Sequence, residues 1–120
     1  NDASVGIKLV HGENSFVMCG DASEESESAM VKRFGSALEC DVLKCGHHGS
    51  RTSTSEVFLK ATNPTWAVIS CGVDNSYGHP HQETLERLNN DDVQVYRTDL
   101  LGTIIATSDG TNISWFSEKE

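Results

Sequence analysis

The sequence predicts an α/β fold, in which a mixed β-sheet carries helices on one face, formed as a single domain over residues 1–120. Short apolar runs recur along the chain, and amphipathic stretches of helical periodicity separate the middle ones. Capping residues, glycines and prolines bound most of these segments. Because strands alternate with helices over the middle of the chain, the order ββαβαβαβββ indicates a mixed sheet.

The first predicted elements are a β-hairpin and a helix. Residues 5–10 and 15–19 form the two strands, and the helix covers residues 24–34. Its acidic first turn suits the positive end of the helix dipole, so the glutamates there are interpreted as solvated dipole partners. Asp21, which lies between strand and helix, has two interpretations. With Glu24 it forms an N-capping pattern, which this stretch alone favours, but it also suits a metal ligand at the end of a buried strand.

The central elements lead into two loops that contain histidines. A short strand over residues 41–45 precedes His47 and His48. Ser53 and Glu56 then form a capping box that opens a helix to residue 62. A strand over residues 66–70 ends in a glycine-containing loop with His79. The proline that follows is predicted to occupy the first position of a helix that runs to residue 88.

The rest of the chain is predicted to be all β. A strand over residues 93–97 is followed by Thr98 and Asp99 in a loop. Strands over residues 102–107 and 112–116 flank Asp109 and Gly110. An Asp-Gly pair between two such runs is a strong hairpin signal.

Composition and charge narrow the class of protein. A formal net charge of −9 argues against a domain that holds nucleic acid through its overall field. The four cysteines do not form the framework of a small secreted domain and are predicted to be reduced thiols. No apolar run is long enough to span a bilayer, and no basic and apolar leader opens the sequence. The abrupt start at Asn1, close to the first strand, predicts a fragment of a longer protein.

Four polar residues follow three separate predicted strands. Asp21 comes after the second strand, His47 and His48 after the third, and His79 after the fourth. Ligand-binding loops of such folds lie at the carboxyl ends of the strands, so these side chains are expected in one cleft. Asp21 and His47 would together suit a divalent cation, which lowers the pKa of a bound water.

Specific blocks of sequence run through nearly the whole chain. They are Gly20-Asp21-Ala22, Asp41-Val42-Leu43-Lys44, Gly46-His47-His48-Gly49-Ser50, Ser53, Ile69-Ser70, Gly72, Asn75, Tyr77-Gly78-His79-Pro80, Tyr96-Arg97-Thr98-Asp99 and Gly102. Together they resemble the second half of the metallo-β-lactamase-like domain found at the C-terminus of ComEC-type DNA-internalisation competence proteins. The resemblance implies the C-terminal half of an αββα sandwich.

The resemblance also implies roles for individual residues. Asp21 would bridge two metal ions and His47 would ligate one of them. His48 and His79 would be catalytic imidazoles that lie beside the ions. The sequence leaves open which of the three histidines binds metal.

The chain departs from the family pattern in one respect. Family members carry a His-x-His-x-Asp-His motif in the first half of the fold, and these 120 residues contain none. The complete domain is expected to hold two divalent ions, zinc or manganese. This fragment is expected to bind metal weakly or not at all, and to need the missing N-terminal half-domain as its partner.

Two functions follow as hypotheses. The first is a metal-dependent hydrolase, a phosphodiesterase or nuclease acting on DNA during uptake, in which Ser50, Arg51 and Ser53 hold phosphate oxygens of the substrate. The alternative is a non-catalytic binding or scaffolding module of a competence protein. In both, the chain is expected to be a soluble domain of a bacterial, membrane-bound parent with a channel domain. The side of the membrane is left open.

Overall fold

The computed structural model describes residues 6–73, 75 and 77–119. Its strands are β1 (Gly6–His11), β2 (Asn14–Cys19), β3 (Val42–Lys44), β4 (Trp66–Ile69), β5 (Gln94–Arg97), β6 (Ile104–Ser108) and β7 (Ile113–Ser117). The first five form one sheet in the order β1-β2-β3-β4-β5, and β6 pairs with β7 alone. β1 is antiparallel to β2, whereas β2 to β5 are parallel to one another. The predicted α/β class with a mixed sheet is confirmed.

Helices connect the parallel strands. They are α1 (Glu24–Phe34), α2 (Glu56–Thr62) and α3 (Gln82–Asn90), and a single turn, α4 (Thr98–Leu101), follows β5. A short 3-10 turn covers Gly35–Leu38, and a tight turn with left-handed backbone covers Gly46–Gly49. The longest helix in the described part of the chain, α1, has 11 residues, and none there is long and apolar enough to cross a bilayer.

One face of the five-stranded sheet forms the core with the helices. Val17, Leu43 and Ala67 lie side by side in neighbouring strands, so their side chains point to the same face. They belong to one buried cluster with Phe58 of α2 and Leu88 of α3. The prediction that helices cover one face of the sheet therefore agrees with the packing.

The opposite face of the sheet is only partly covered. Phe16, Val42 and Trp66 are aligned across three strands and alternate with the residues of the core. Trp115 of β7 packs on this face, with its ring centroid 5.7 Å from that of Trp66. The hairpin of β6 and β7 thus lies on the side away from the helices. On the edge strand β1, by contrast, Leu9 is 53% exposed.

The predicted caps of α1 and α2 were wrong in detail. The N-cap of α1 is Ser23, so the helix begins too late for Asp21 to cap it. The N-cap of α2 is Ser55, whose hydroxyl accepts a hydrogen bond from Phe58 N at 3.3 Å. Ser53 instead donates its hydroxyl hydrogen bond to the carbonyl of Ala22. A tertiary contact between the loops therefore overrides the local capping pattern.

Other boundaries also differ from the prediction. The proline predicted at the first position of α3 precedes the helix, because His81 is the N-cap and the helix begins at Gln82. Thr98 and Asp99 belong to the one-turn helix α4 rather than to an open loop. Residue 5, the predicted start of the first strand, lies outside the described residues.

The glutamates near the start of α1 differ in burial. Glu24 and Glu25 are exposed, in agreement with the interpretation of solvated charge, but Glu27 is only 1% exposed. Its carboxylate accepts hydrogen bonds from Thr54 N at 2.6 Å and from Ser55 N at 2.9 Å. Glu27 is therefore an internal acceptor and not a solvated dipole partner.

Candidate functional site

The loops after β2, β3 and β4 meet at one edge of the sheet, because these strands are parallel neighbours. Asp21, His47 and His79 follow these three strands. The backbone N–H of His47 donates to Gly20 O at 2.7 Å. At Gly46 an added Cβ would lie 3.2 Å from the same oxygen, so glycine permits the close approach of the two loops. The first two loops are thereby packed together directly before Asp21.

Four imidazoles and a phenol are grouped at this edge. The ring centroid of His79 lies 5.7 Å from that of His47, 6.3 Å from that of His48 and 4.8 Å from that of His81. Tyr77 stacks on His79 at 5.6 Å. The structure thus brings together all three histidines that the sequence singles out and adds a fourth.

The backbone at His47 and His48 is left-handed, with φ of 49° and 52°. Such angles are uncommon for residues other than glycine and persist where the surroundings fix them. His48 Nδ1 lies 2.8 Å from Ser70 O. Because a carbonyl only accepts, Nδ1 carries the hydrogen, and the other ring nitrogen, Nε2, keeps a lone pair for a proton or a ligand.

His81 links two of the loops. Its Nδ1 accepts a hydrogen bond from Arg51 N at 2.9 Å, and its Nε2 lies 3.3 Å from Tyr77 O, where it can only donate. His81 is thus a neutral imidazole in this arrangement. Sequence reasoning missed it, although its spacing of two residues from His79 in the same loop was the available signal.

The electrostatics of the cluster favour a neutral imidazole at His79. Burial lowers the pKa of His79, and the neighbouring His81, His47 and His48 lower it further. Partial removal from water disfavours the imidazolium, and nearby imidazoles oppose a second positive charge. His79 is therefore suited to accept a proton or a ligand bond at neutral pH.

The three residues predicted to bind substrate differ in exposure. Arg51 is exposed beside the histidines. Ser50 is buried, with its hydroxyl 2.9 Å from that of Thr52, and Ser53 is buried against Ala22. The two serine hydroxyls support the loop in this conformation, and their contact with a substrate stays a prediction.

The described residues do not by themselves fit a metal ion. Asp21 is exposed at a bend beside Gly20. Across residues 6–73, 75 and 77–119, no three His, Cys, Asp or Glu side chains come close enough to hold a metal ion. A catalytic zinc normally takes three protein ligands. The predicted roles of Asp21 and His47 as metal ligands therefore stay predictions that need ligands from elsewhere.

The four cysteines are free thiols, as predicted. Burial raises the pKa of Cys19 to about 11 and the pKa values of Cys40 and Cys45 to about 12. Cys71 is partly exposed and lines an open pocket of about 200 Å³ together with His48 and His79. One thiol thus borders the candidate site, and three lie in the core.

The end of β5 supports the loop that follows β4. Thr98 Oγ1 accepts from Cys71 N and donates to Cys71 O, both at 2.9 Å. Arg97 and Asp99 form a two-pronged ion pair, with distances of 3.0 Å from Nε to Oδ1 and 2.7 Å from Nη2 to Oδ2. The side-chain hydrogen bond from Arg97 lowers the pKa of Asp99. Residues 96–99 are one of the sequence blocks that resemble the competence family. In the structure their hydrogen bonds fix the position of the loop that leads to His79.

Comparison with known proteins gives three similar sequences of note. The chain is 40% identical to ComE operon protein 3 of Bacillus subtilis (strain 168) over 104 residues. It is 38% identical to Competence protein ComA of Neisseria gonorrhoeae and to Recombination protein 2 of Haemophilus influenzae, each over 104 residues. Each match covers 87% of this chain. No protein-family model matches the sequence.

The matches cover a small part of each relative. The chain spans 13% of ComE operon protein 3 and of Recombination protein 2, and 15% of Competence protein ComA. The chain is therefore homologous to one segment of these competence proteins.

Proposed function

From this homology to a segment of competence proteins, we propose that the chain takes part in DNA uptake, as one half of a metal-dependent phosphodiesterase or nuclease domain. The observation that carries the proposal is the cluster of imidazoles at the carboxyl ends of parallel strands, with Asp21 and Arg51 beside it. Hydrogen-bonded loops hold these groups, as a site for polar chemistry requires.

The open face of the sheet supports the proposal that another half-domain is needed. Ile7 and Leu9 are 50% and 53% exposed, and by register they lie beside Met18 and Phe16 on the face opposite the helices. A contiguous apolar surface of this kind is typical of an interface. We propose that it packs against the missing N-terminal half-domain, which would complete an αββα sandwich.

In the completed domain, this chain would supply proton-transfer and phosphate-binding groups. His48 presents Nε2 with a lone pair, because Nδ1 donates to Ser70 O. Burial lowers the pKa of His79, so its imidazole stays neutral at neutral pH and can accept a proton. The exposed guanidinium of Arg51 suits two oxygens of a phosphate. Two divalent ions, zinc or manganese, would supply Lewis acidity, with Asp21 and His47 as this chain's contribution to ligands that come mostly from the other half.

The alternative is a non-catalytic binding or scaffolding module of the same DNA-uptake machinery, joined to a membrane channel domain. Its support is the lack of a three-ligand group among the described residues. The net charge of −9 opposes strong DNA binding by this chain alone and therefore counts against a module that binds DNA by itself. The two proposals differ in whether Asp21 and His47 are needed for chemistry or only for folding.

A chimera tests the proposal. The matched segment of Competence protein ComA is replaced by this chain in Neisseria gonorrhoeae, and the frequency of transformation by added DNA is measured. We expect the chimera to restore transformation above that of a strain in which the segment is deleted. A chimera that is expressed at the normal level and transforms no better than the deletion strain would contradict a role in DNA uptake.

Variants of the same chimera separate enzyme from scaffold. Asp21→Asn and His47→Gln change metal ligands with little change in size. Glu25→Gln on the exposed side of α1 is the matched control, since it removes one carboxylate away from the site. If the domain is a hydrolase, the first two should abolish transformation and the control should not. Full transformation with Asp21→Asn would favour the scaffold.

A further inference from the structure

The segment that follows His47 and His48 contacts two buried or partly buried charged side chains from other elements. We call residues 46–55, which join β3 to α2, the histidine loop. Glu27 of α1 accepts hydrogen bonds from Thr54 N and Ser55 N at 2.6 Å and 2.9 Å. A carboxylate that is 1% exposed is costly unless its oxygens are hydrogen-bonded, and both oxygens of Glu27 are used here.

Arg87 of α3 binds the same segment from its other side. Its Nη1 donates to Ser53 O at 3.0 Å and to Thr54 O at 2.7 Å, and its Nη2 donates to Arg51 O at 2.9 Å. The carboxylate therefore takes the N–H groups of this segment, and the guanidinium takes its carbonyl groups. The two opposite charges also attract each other, since Arg87 favours the ionised form of Glu27.

The segment held in this way determines where the histidines lie. Arg51 N donates to His81 Nδ1, and Ser53 Oγ donates to the carbonyl of Ala22, next to Asp21. Thr54, like His47 and His48, has a positive φ, here 54°. Three non-glycine residues with left-handed backbone in one loop require restraint from outside the loop.

Stability alone is a weak reason for two such charged groups. Replacing charged groups in a protein interior by well-packed apolar side chains is often neutral or stabilising. Charged groups that bind backbone donors and acceptors instead fix one conformation, because each bond has a defined direction. We infer that Glu27 and Arg87 are positioning residues that hold the histidine loop, and with it His47, His48 and His81, in the geometry of the candidate site. What that site does rests on the proposed function, whereas the geometry does not.

The test compares isosteric variants of the 120-residue chain by NMR, with no metal and no nucleic acid present. Glu27→Gln removes the charge and one acceptor oxygen, and Glu25→Gln makes the same change on the exposed side of the same helix. The two readouts are hydrogen exchange of the Thr54 and Ser55 amides and the ring ¹⁵N signals of the histidines, which report which nitrogen carries hydrogen. Far-UV circular dichroism and the exchange of β3 and β4 amides show whether the fold persists.

We expect Glu27→Gln to speed exchange at Thr54 and Ser55 by about tenfold or more, because hydrogen bonds to a charged acceptor are lost. The ring signals of His48 and His81 should shift, whereas β3 and β4 exchange slowly as before. Glu25→Gln should change none of these. If Glu27→Gln leaves the histidine signals unchanged, the inference is wrong. It is also wrong if the histidine signals shift only in a protein whose β3 and β4 amides exchange faster too, because the whole fold is then loosened.

Arg87→Lys provides a second, milder variant in case Glu27→Gln does not fold. Lysine keeps the charge but cannot reach three carbonyls with a planar fork. It should shift the same histidine signals, and unchanged signals would overturn the inference. Because neither readout depends on metal or activity, the inference can fail while the proposed function stands, and the reverse also holds.

Discussion

The two faces of the five-stranded sheet differ in how completely they are covered. On the helical face Leu43 is 1% exposed and packs with side chains from helices α2 and α3. On the other face, Leu9 is 53% exposed, and the hairpin of β6 and β7 covers the region around Trp66 and Tyr96 through Trp115. The first face is a closed core, whereas the second is only partly covered.

The position of the candidate site explains why this difference matters. The histidine loop lies at the carboxyl ends of the parallel strands. Groups packed on either face of the sheet can reach it there. The helical side supplies Glu27 and Arg87, which hold the loop. We propose that a further layer, packed on the open side, supplies the remaining ligands. The chain would thus fold without that layer and still lack a complete site.

The largest expected effect comes from truncating one leucine on each face of the sheet to alanine. Leu43→Ala should lower the free energy of unfolding by about 3 kcal/mol, because it removes a fully buried side chain and leaves a cavity. Leu9→Ala should lower it by less than about 1 kcal/mol, since much of that side chain already contacts water. Urea unfolding of the 120-residue chain measures both. Equal losses would show that the open face is buried in the isolated chain.

The second comparison uses the thiols. Cys71 lies partly exposed at the edge of the site, whereas Cys45 is fully buried and burial raises its pKa to about 12. In the native chain, Cys71 should react with a thiol reagent about tenfold or more faster than Cys45, which requires the core to open. Timed labelling followed by peptide mass spectrometry gives the order, and all four thiols should react in denaturant. Faster labelling of Cys45 would contradict the closed core.

Much of the fold was predictable because local periodicity and turn chemistry agree with it. All ten predicted strands and helices are present, apart from small differences at their ends. The wrong predictions arose where distant residues decide the outcome. Ser53 fits a local capping box, but its hydroxyl is used by Ala22, 31 positions away in sequence. Glu27 looks like its exposed neighbours Glu24 and Glu25 until the N–H groups of residues 54 and 55, just before α2, are placed beside it.

The site was predictable to a smaller extent. His47, His48 and His79 could be chosen because each follows an apolar strand, and parallel strands bring their ends together. His81 was missed because its role depends on Arg51 N, a partner 30 positions away. Arg87 was not singled out from the sequence, since nothing local shows that its guanidinium binds three carbonyls.

The smallest expected effect concerns the buried carboxylate of Glu27 on the helical side. Burial raises the pKa of Glu27 above its ordinary value of 4.5. The folded state then binds this proton more tightly than the unfolded state does. The stability linked to it is fully present below about pH 4.5 and is lost as pH rises through the folded pKa.

Glu27→Gln should therefore flatten part of the decline in unfolding free energy that begins near pH 4.5 and continues as pH rises through the folded-state pKa of Glu27. Urea unfolding at several pH values measures the slope. Glu25→Gln serves as the control and should keep the slope of the original chain, because that side chain is exposed in the structure. Identical slopes for all three proteins would mean that Glu27 titrates in the folded chain as it does in water.

The most direct test of an incomplete site is a cleavage assay with the purified 120-residue chain. Linear and circular DNA are incubated with it in the presence of zinc or manganese, beside an Asp21→Ala variant and a reaction with chelator. Because the described residues alone offer no three-ligand group, we expect no cleavage above the background of the variant. Robust cleavage that needs metal and is lost in Asp21→Ala would contradict the account, since these 120 residues would then hold a complete site without a further layer.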